Sequence, residues 1–216
     1  MGKLYVQYGA GNEAIKDWIN FDSSPTLKIQ KIPIIGRLCR PMLNCVFDDK
    51  IKSGNIIKGL PVKASSVDGV FCSHVLEHLV LEDFQKALEN TFKILKAGGI
   101  FRCIVPDLEI YIREYMNAIS SDSAELKSNA CVDFNKHTSL GIVKRKLGII
   151  GRLSEVYGSR HLWMWDKYSL SQALANHGFI DIMTFGKGKC EDKMFLLPER
   201  DHQFSKSFGL QCRKPT

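Results

Sequence analysis

The sequence has no apolar run near the ~20 residues that cross a bilayer. It has no Cys-x-x-Cys pair among its seven cysteines, no internal repeat and no low-complexity tract. The first absence leaves no transmembrane helix to read. The second removes a thiolate zinc site, which needs cysteines paired at short spacing. The third removes solenoids and propellers. A leader is not legible either, because Lys3-Leu4-Tyr5-Val6 is too short for the apolar core of a signal peptide. With scattered cysteines, these absences make a reducing, cytoplasmic setting the expectation.

What is there suits one globular domain spanning residues 1–216. Hydrophobic residues make up 44% and charged residues 25%, enough to bury a sheet-and-helix core without covalent staples. Cys72 and Cys103 lie inside apolar runs and read as small core residues. The 30 Lys+Arg against 23 Asp+Glu leave a charge of +7. That surplus fits an anionic partner such as a phosphorylated or lipid-linked sugar, a nucleic acid or a membrane surface; it fits equally a solvated basic surface.

Lys3–Tyr8 reads as a first strand ending at Gly9, and Trp18–Asp22 as a second ending in an acid. Residues 26–53 give no clear pattern. Val67–Cys72 is a buried-type strand leading through Ser73-His74 into a helical segment, Val75–Leu79. A longer helix follows over Glu82–Lys96, with Leu81, Phe84, Leu88, Phe92 and Leu95 on one face and Gly98-Gly99 as its stop. Ile100–Val105 is a strand and Leu108–Ala118 a helix. Residues 119–165 read as an insertion on the acceptor side of the sheet, basic at Lys136, Lys144, Arg145, Lys146 and Arg152. Ser169–His177 is a helix, and Ile180–Phe185 and Ser207–Cys212 are the last strands. Strand and helix alternating in this way predict an α/β, Rossmann-like, mainly parallel sheet with helices on both faces.

Gly9-Ala10-Gly11 after a strand lets the backbone turn sharply and approach a ligand. Asp22 at the end of the next strand is placed to accept hydrogen bonds from a ribose diol. Gly9, Gly11 and Ala14 also fit G-x-G-x-x-A, the dinucleotide fingerprint. That fingerprint expects its acid about 20 residues on, and Asp22 comes too early for it. A nicotinamide enzyme is therefore the weaker reading of this turn.

Three further stretches occur in order: Trp18-Ile19-Asn20-Phe21-Asp22-Ser23-Ser24-Pro25, Ser73-His74-Val75-Leu76-Glu77-His78-Leu79, and Leu95-Lys96-Ala97-Gly98-Gly99-Ile100-Phe101-Arg102 continuing through Val105-Pro106-Asp107. With His161-Leu162-Trp163-Met164-Trp165-Asp166, the chain resembles the type-11 branch of the class I S-adenosylmethionine-dependent methyltransferases. The members it resembles most occur in bacterial polysaccharide biosynthesis and glycosylation. The resemblance implies a seven-stranded sheet whose last strand is antiparallel. It implies S-adenosylmethionine as cofactor, with Gly9 and Gly11 beneath it, Asp22 on the ribose, Asn55 and Ile56 beside the adenine, and Ser73 and His74 near the methyl group. Ala10 stands where this branch usually has Cys, and Asn55 where it usually has Asp. An amide can still accept a hydrogen bond through its oxygen.

Methyl transfer is an in-line displacement, so the protein mainly aligns the reactants. A hydroxyl acceptor must also lose its proton, and His74 and His161 are the candidate bases. His74, Glu77 and His78 share one face at helical spacing and resemble a metal site of some methyltransferases, with His161 as a fourth ligand. The reading preferred from sequence is that Glu77 and His78 brace their helix, with no metal bound. Trp163, Met164 and Trp165 serve either as a sugar platform or as core, and the Lys144-Arg145-Lys146 run either as a phosphate contact or as a solvated face. The expected function is O-methylation of a sugar, glycan or related small acceptor. A nucleic-acid methyltransferase is disfavoured, because no Asn/Asp-Pro-Pro-aromatic tetrapeptide follows the fourth strand. A degenerate, non-catalytic domain is the remaining alternative, and Asn55 is its one motive.

Overall fold

The computed structural model describes residues 2–34, 36, 45–141 and 160–216. Within them the short apolar runs become seven strands: β1 Tyr5–Tyr8, β2 Ile19–Asp22, β3 Lys52–Ser53, β4 Val67–Ser73, β5 Leu95–Pro106, β6 Ile180–Phe185 and β7 Ser207–Arg213. They form one sheet in the order β3-β2-β1-β4-β5-β7-β6. Neighbours from β3 across to β5 are parallel, while β7 runs antiparallel to both β5 and β6. The Rossmann-like sheet with a reversed last strand is therefore present.

The central strands are apolar on both faces, as buried parallel strands must be. Val6, Tyr8, Cys72, Cys103 and Val105 point into one core cluster, whereas Tyr5, Phe71 and Ile104 point into another. The helices are α1 Pro25–Gln30, α2 Leu81–Ile94, α3 Leu108–Ser120, α4 Ala124–His137 and α5 Lys167–Asn176. Ser24, Asp107, Ser123 and Asp166 begin four of them by accepting a backbone N–H of the first turn, which satisfies an otherwise orphaned donor. Among the described residues α2 and α5 cover the first cluster with Phe84, Leu88, Leu170 and Leu174. A 3-10 turn at Lys193–Leu196 covers the second, setting Phe195 against Tyr5 and Trp18. No helix of the described residues is long and apolar enough to cross a membrane.

Several local expectations change. The long helix ends at Ile94, and Leu95 already pairs with Val67, so Gly98-Gly99 lies inside β5. The backbone there is held by pairing with Lys214 rather than by a helix end. The buried face of α2 is Phe84, Ala87, Leu88, Thr91 and Ile94, and Leu81 is exposed. Val75–Leu79 is only a 3-10 turn, Leu76–His78. Residues 119–165 supply α4, while Lys144, Arg145, Lys146 and Arg152 lie outside the described residues.

Arg102 on β5 is fully buried. Its Nη2 lies 3.0 Å from the Glu199 carboxylate and 2.9 Å from the Lys189 carbonyl, and its guanidinium sits 3.6 Å from the centre of the Phe185 ring. These contacts fasten the segment between β6 and β7 to the sheet.

Candidate active site

Chain order reverses between β1 and β4. In an open α/β sheet such a reversal leaves a crevice at the carboxyl ends of the strands, where ligands bind. A cavity of about 340 Å³ opens there. Its floor is Gly9–Glu13 after β1 and Ser73-His74 at the end of β4; its roof is Pro198, Arg200, His202 and Gln203. Arg200 reaches across to Glu13 at 2.7 Å. The roof was not foreseen from sequence. The only local signal for it is the polar run Glu199–Gln203 directly before the last strand.

Gly9 and Gly11 have φ of 66° and 61°, the left-handed region that disfavours side chains. A Cβ on Gly9 would stand 2.1 Å from Val75 Cγ2, whereas one on Gly11 would meet nothing within 4 Å. Gly11 therefore presents bare backbone to open space, and Gly9 has no room for a methyl group. Gly9→Ala should cost about 2–5 kcal/mol, from strained backbone and overpacking together. Gly11→Ala should cost only about 1–2 kcal/mol, from backbone alone. Thermal melts of the two variants should rank them in that order, and equal losses would deny the role of Val75.

Asp22 is wired to this turn. Its Oδ2 accepts the Gly11 N–H at 3.0 Å and its Oδ1 accepts the Ser24 N–H at 2.8 Å. Burial raises the Asp22 carboxyl above the ordinary aspartate range, against the opposing pull of those two hydrogen bonds. Asn55 follows β3 on the neighbouring strand end and caps a 3-10 turn, its Oδ1 accepting the Ile57 N–H at 2.8 Å. The amide oxygen that would meet an adenine is thus already engaged. Ile56 is buried in the core, and its carbonyl accepts from Asn90. Asp22, Asn55 and Ile56 lie along the same edge of the sheet as the cavity but do not line it.

His74 does line it, with a left-handed φ of 53°. Its Nε2 donates to the Gln203 carbonyl at 3.0 Å, and its Nδ1 stands 3.2 Å from Glu77 Oε1. Burial would lower the His74 pKa, but the Glu77 carboxylate and the Gln203 carbonyl outweigh it and the net shift is upward. His161 does not line the cavity. Its Nε2 is 4.0 Å from Glu77 Oε1, and its ring packs edge-on against His78 with centroids 5.0 Å apart. Burial holds its pKa below the ordinary histidine value, against Glu77. The aromatic cluster divides. Trp165 is core, its ring tilted against Phe84 with centroids 4.4 Å apart, whereas Trp163 is 42% exposed.

A family model described as a methyltransferase domain matches residues 40–103, a stretch that takes in β3, β4 and most of β5. No curated protein matches the chain. Among solved structures, an S-adenosylmethionine-dependent methyltransferase of Thermotoga maritima, a possible histamine N-methyltransferase, is 15% identical over 99% of this chain and 83% of its own, with a TM-score of 0.51. One from Methanosarcina mazei is 11% identical over 100% of this chain and 94% of its own, with a TM-score of 0.50. At these identities the likeness concerns the fold.

Proposed function

We propose that this chain, an S-adenosylmethionine-dependent methyltransferase, places the methyl group on a hydroxyl oxygen of a sugar, glycan or related small acceptor. The bare backbone of Gly11 and the open space over it leave room for the cofactor along the strand edge that carries Asp22 and Asn55. In this reading Gly9 and Gly11 lie beneath it, Asp22 holds the ribose hydroxyls, Asn55 and Ile56 border the adenine, and Ser73 lies near the methyl end. When bound, S-adenosylmethionine supplies a methyl group already attached to a good leaving group.

The observation that carries the acceptor reading is the imidazole of His74 in the same cavity as the glycine turn. An alcohol needs a base at the moment of transfer. Nε2 of His74 bonds to the cavity-lining Gln203; once that bond is released and the neutral imidazole holds its proton on Nδ1, toward Glu77, the Nε2 lone pair takes the acceptor proton. Glu77, beside Nδ1, favours the imidazolium that results. Arg200, His202 and Gln203 in the roof offer hydrogen bonds to a polyhydroxylated ring, and a phosphate on it would take Arg200 from its pairing with Glu13. These groups support an acceptor of the kind found in polysaccharide biosynthesis.

The test begins with calorimetric titration of S-adenosylhomocysteine, followed by a screen of nucleotide sugars and glycolipids. Mass spectrometry should locate the methyl group on oxygen. His74→Gln should lower kcat by roughly 10²–10⁴-fold and leave S-adenosylhomocysteine affinity nearly unchanged. Methylation of a nitrogen, or a full-speed His74→Gln enzyme, would overturn the reading.

A further inference from the structure

Behind His74, outside the cavity, the side chains of Glu77, His78 and His161 converge. Each offers one ligand atom, and the three atoms lie within 4.8 Å of one another. Glu77 is fully buried, yet neither carboxyl oxygen has a hydrogen-bond partner among the described residues. A buried carboxyl left in that state is costly. His74 lies within ion-pair reach at 3.2 Å but without hydrogen-bond geometry. Of the bracing pair read from sequence, His78 holds the Arg160 carbonyl, while the Glu77 side chain makes no hydrogen bond among the described residues.

The groups facing Glu77 are imidazole nitrogens. Nε2 of His78 is 3.9 Å from Oε1 and Nε2 of His161 is 4.0 Å. Both separations exceed a hydrogen bond. They are, however, little longer than the ~3.3 Å between neighbouring ligands placed tetrahedrally at the zinc–nitrogen and zinc–oxygen distances. The His78 ring is oriented as a metal ligand's would be. Nδ1 donates to the Arg160 carbonyl at 2.7 Å, which leaves Nε2, 3.9 Å from Glu77 Oε1, as the nitrogen with a lone pair. The cluster is also held from the main chain, because the N–H groups of Leu162 and Trp163 both donate to the Glu77 carbonyl, at 2.7 and 3.1 Å. The two segments that carry the ligands are thereby pinned together.

We propose that Glu77, His78 and His161 bind a divalent transition metal of the zinc type. Two imidazoles and one carboxylate suit zinc and its transition-metal neighbours. Magnesium and calcium take oxygen ligands and would not hold here. A carboxylate has lone pairs enough to meet both a cation and His74. The inference does not depend on the methyl acceptor or on the cofactor.

The experiment is calorimetric titration of zinc sulfate into chelator-stripped, full-length protein, with magnesium chloride as control. One saturable zinc site per chain and no magnesium site are expected. His78→Gln and His161→Gln should each weaken zinc at least ~100-fold, more than loss of an outer-shell partner would. Zinc should also raise the melting temperature of the wild type and not that of the variants. Because both histidines are partly exposed at the edge of the cluster, the stripped variants should melt close to stripped wild type. No saturable zinc binding, or binding that both variants retain, would overturn the proposal, since the seven cysteines would then account for any zinc taken up. Titrating S-adenosylhomocysteine into the same stripped protein tests the cofactor site separately.

Discussion

Glu199→Ala should lower the melting temperature by roughly 10 °C. The substitution leaves the Arg102 guanidinium buried without its carboxylate. Breaking a fully buried pair from one side costs about 3–5 kcal/mol, and each kcal/mol lowers the midpoint of a domain this size by about 2–4 °C. Glu199 also accepts the Gly188 N–H at 2.7 Å, so the loop after β6 loosens as well. The roof is next in sequence, and the contacts of Arg200 with Glu13 and of Gln203 with His74 should weaken with it. Arg102→Met combined with Glu199→Leu should recover most of the loss, because replacing both members of a buried pair with apolar groups is often neutral. Differential scanning calorimetry of the two variants decides the matter. A melting temperature for Glu199→Ala within 2–4 °C of wild type, about 1 kcal/mol, would mean that the pair is solvated and the roof is anchored elsewhere.

Asp22→Ala should weaken S-adenosylhomocysteine binding by about 100-fold or more. Two hydrogen bonds from the ribose to a charged acceptor would be lost, each worth about 1.5–3 kcal/mol. The Gly11 N–H would also lose the carboxylate that now holds the turn. His161→Ala should leave this affinity nearly unchanged, because His161 packs beside Glu77 and His78 rather than at the glycine turn that Asp22 holds. The pH dependence has a definite sign. Burial raises the Asp22 carboxyl, so affinity is full above that raised pKa and falls as pH drops through it. The loss should therefore begin at a higher pH than for an ordinary aspartate, and Asp22→Ala should abolish this step. Calorimetry across a pH series measures both effects. Equal affinity in wild type and Asp22→Ala would remove Asp22 from the ribose.

Much of the fold was legible because its signals are local. Strand ends and glycine turns depend on residues close in sequence, and the helices begun by Asp107 and Asp166 fall on the segments Leu108–Ala118 and Ser169–His177 read as helical, whereas the helix begun by Ser123 lies in a stretch read only as an insertion. The misreadings were also local. Gly98-Gly99 looks like a helix stop, but pairing of Leu95 with Val67 drew those residues into a strand. Val75–Leu79 has helical spacing, yet the left-handed turn at His74 and the short connection to α2 leave room only for a 3-10 turn.

The sequence by itself determined the alternation of strands and helices, the two left-handed glycines beneath the candidate cofactor site, and the acid and imidazole at the ends of β2 and β4. Each is a property of the backbone or of a side chain at a strand end. Tertiary structure alone decided what meets them. Because β7 is antiparallel, its first residue, Ser207, pairs with Pro106 at the carboxyl end of β5. The residues before β7 are therefore delivered to the edge where β1 and β4 open. That single reversal puts Arg200, His202 and Gln203 over the glycine turn. Main-chain hydrogen bonds from Leu162 and Trp163 to Glu77 likewise bring His161 to a carboxyl group far from it in sequence. Contacts of this kind follow from strand order and direction, which no local pattern of residues encodes.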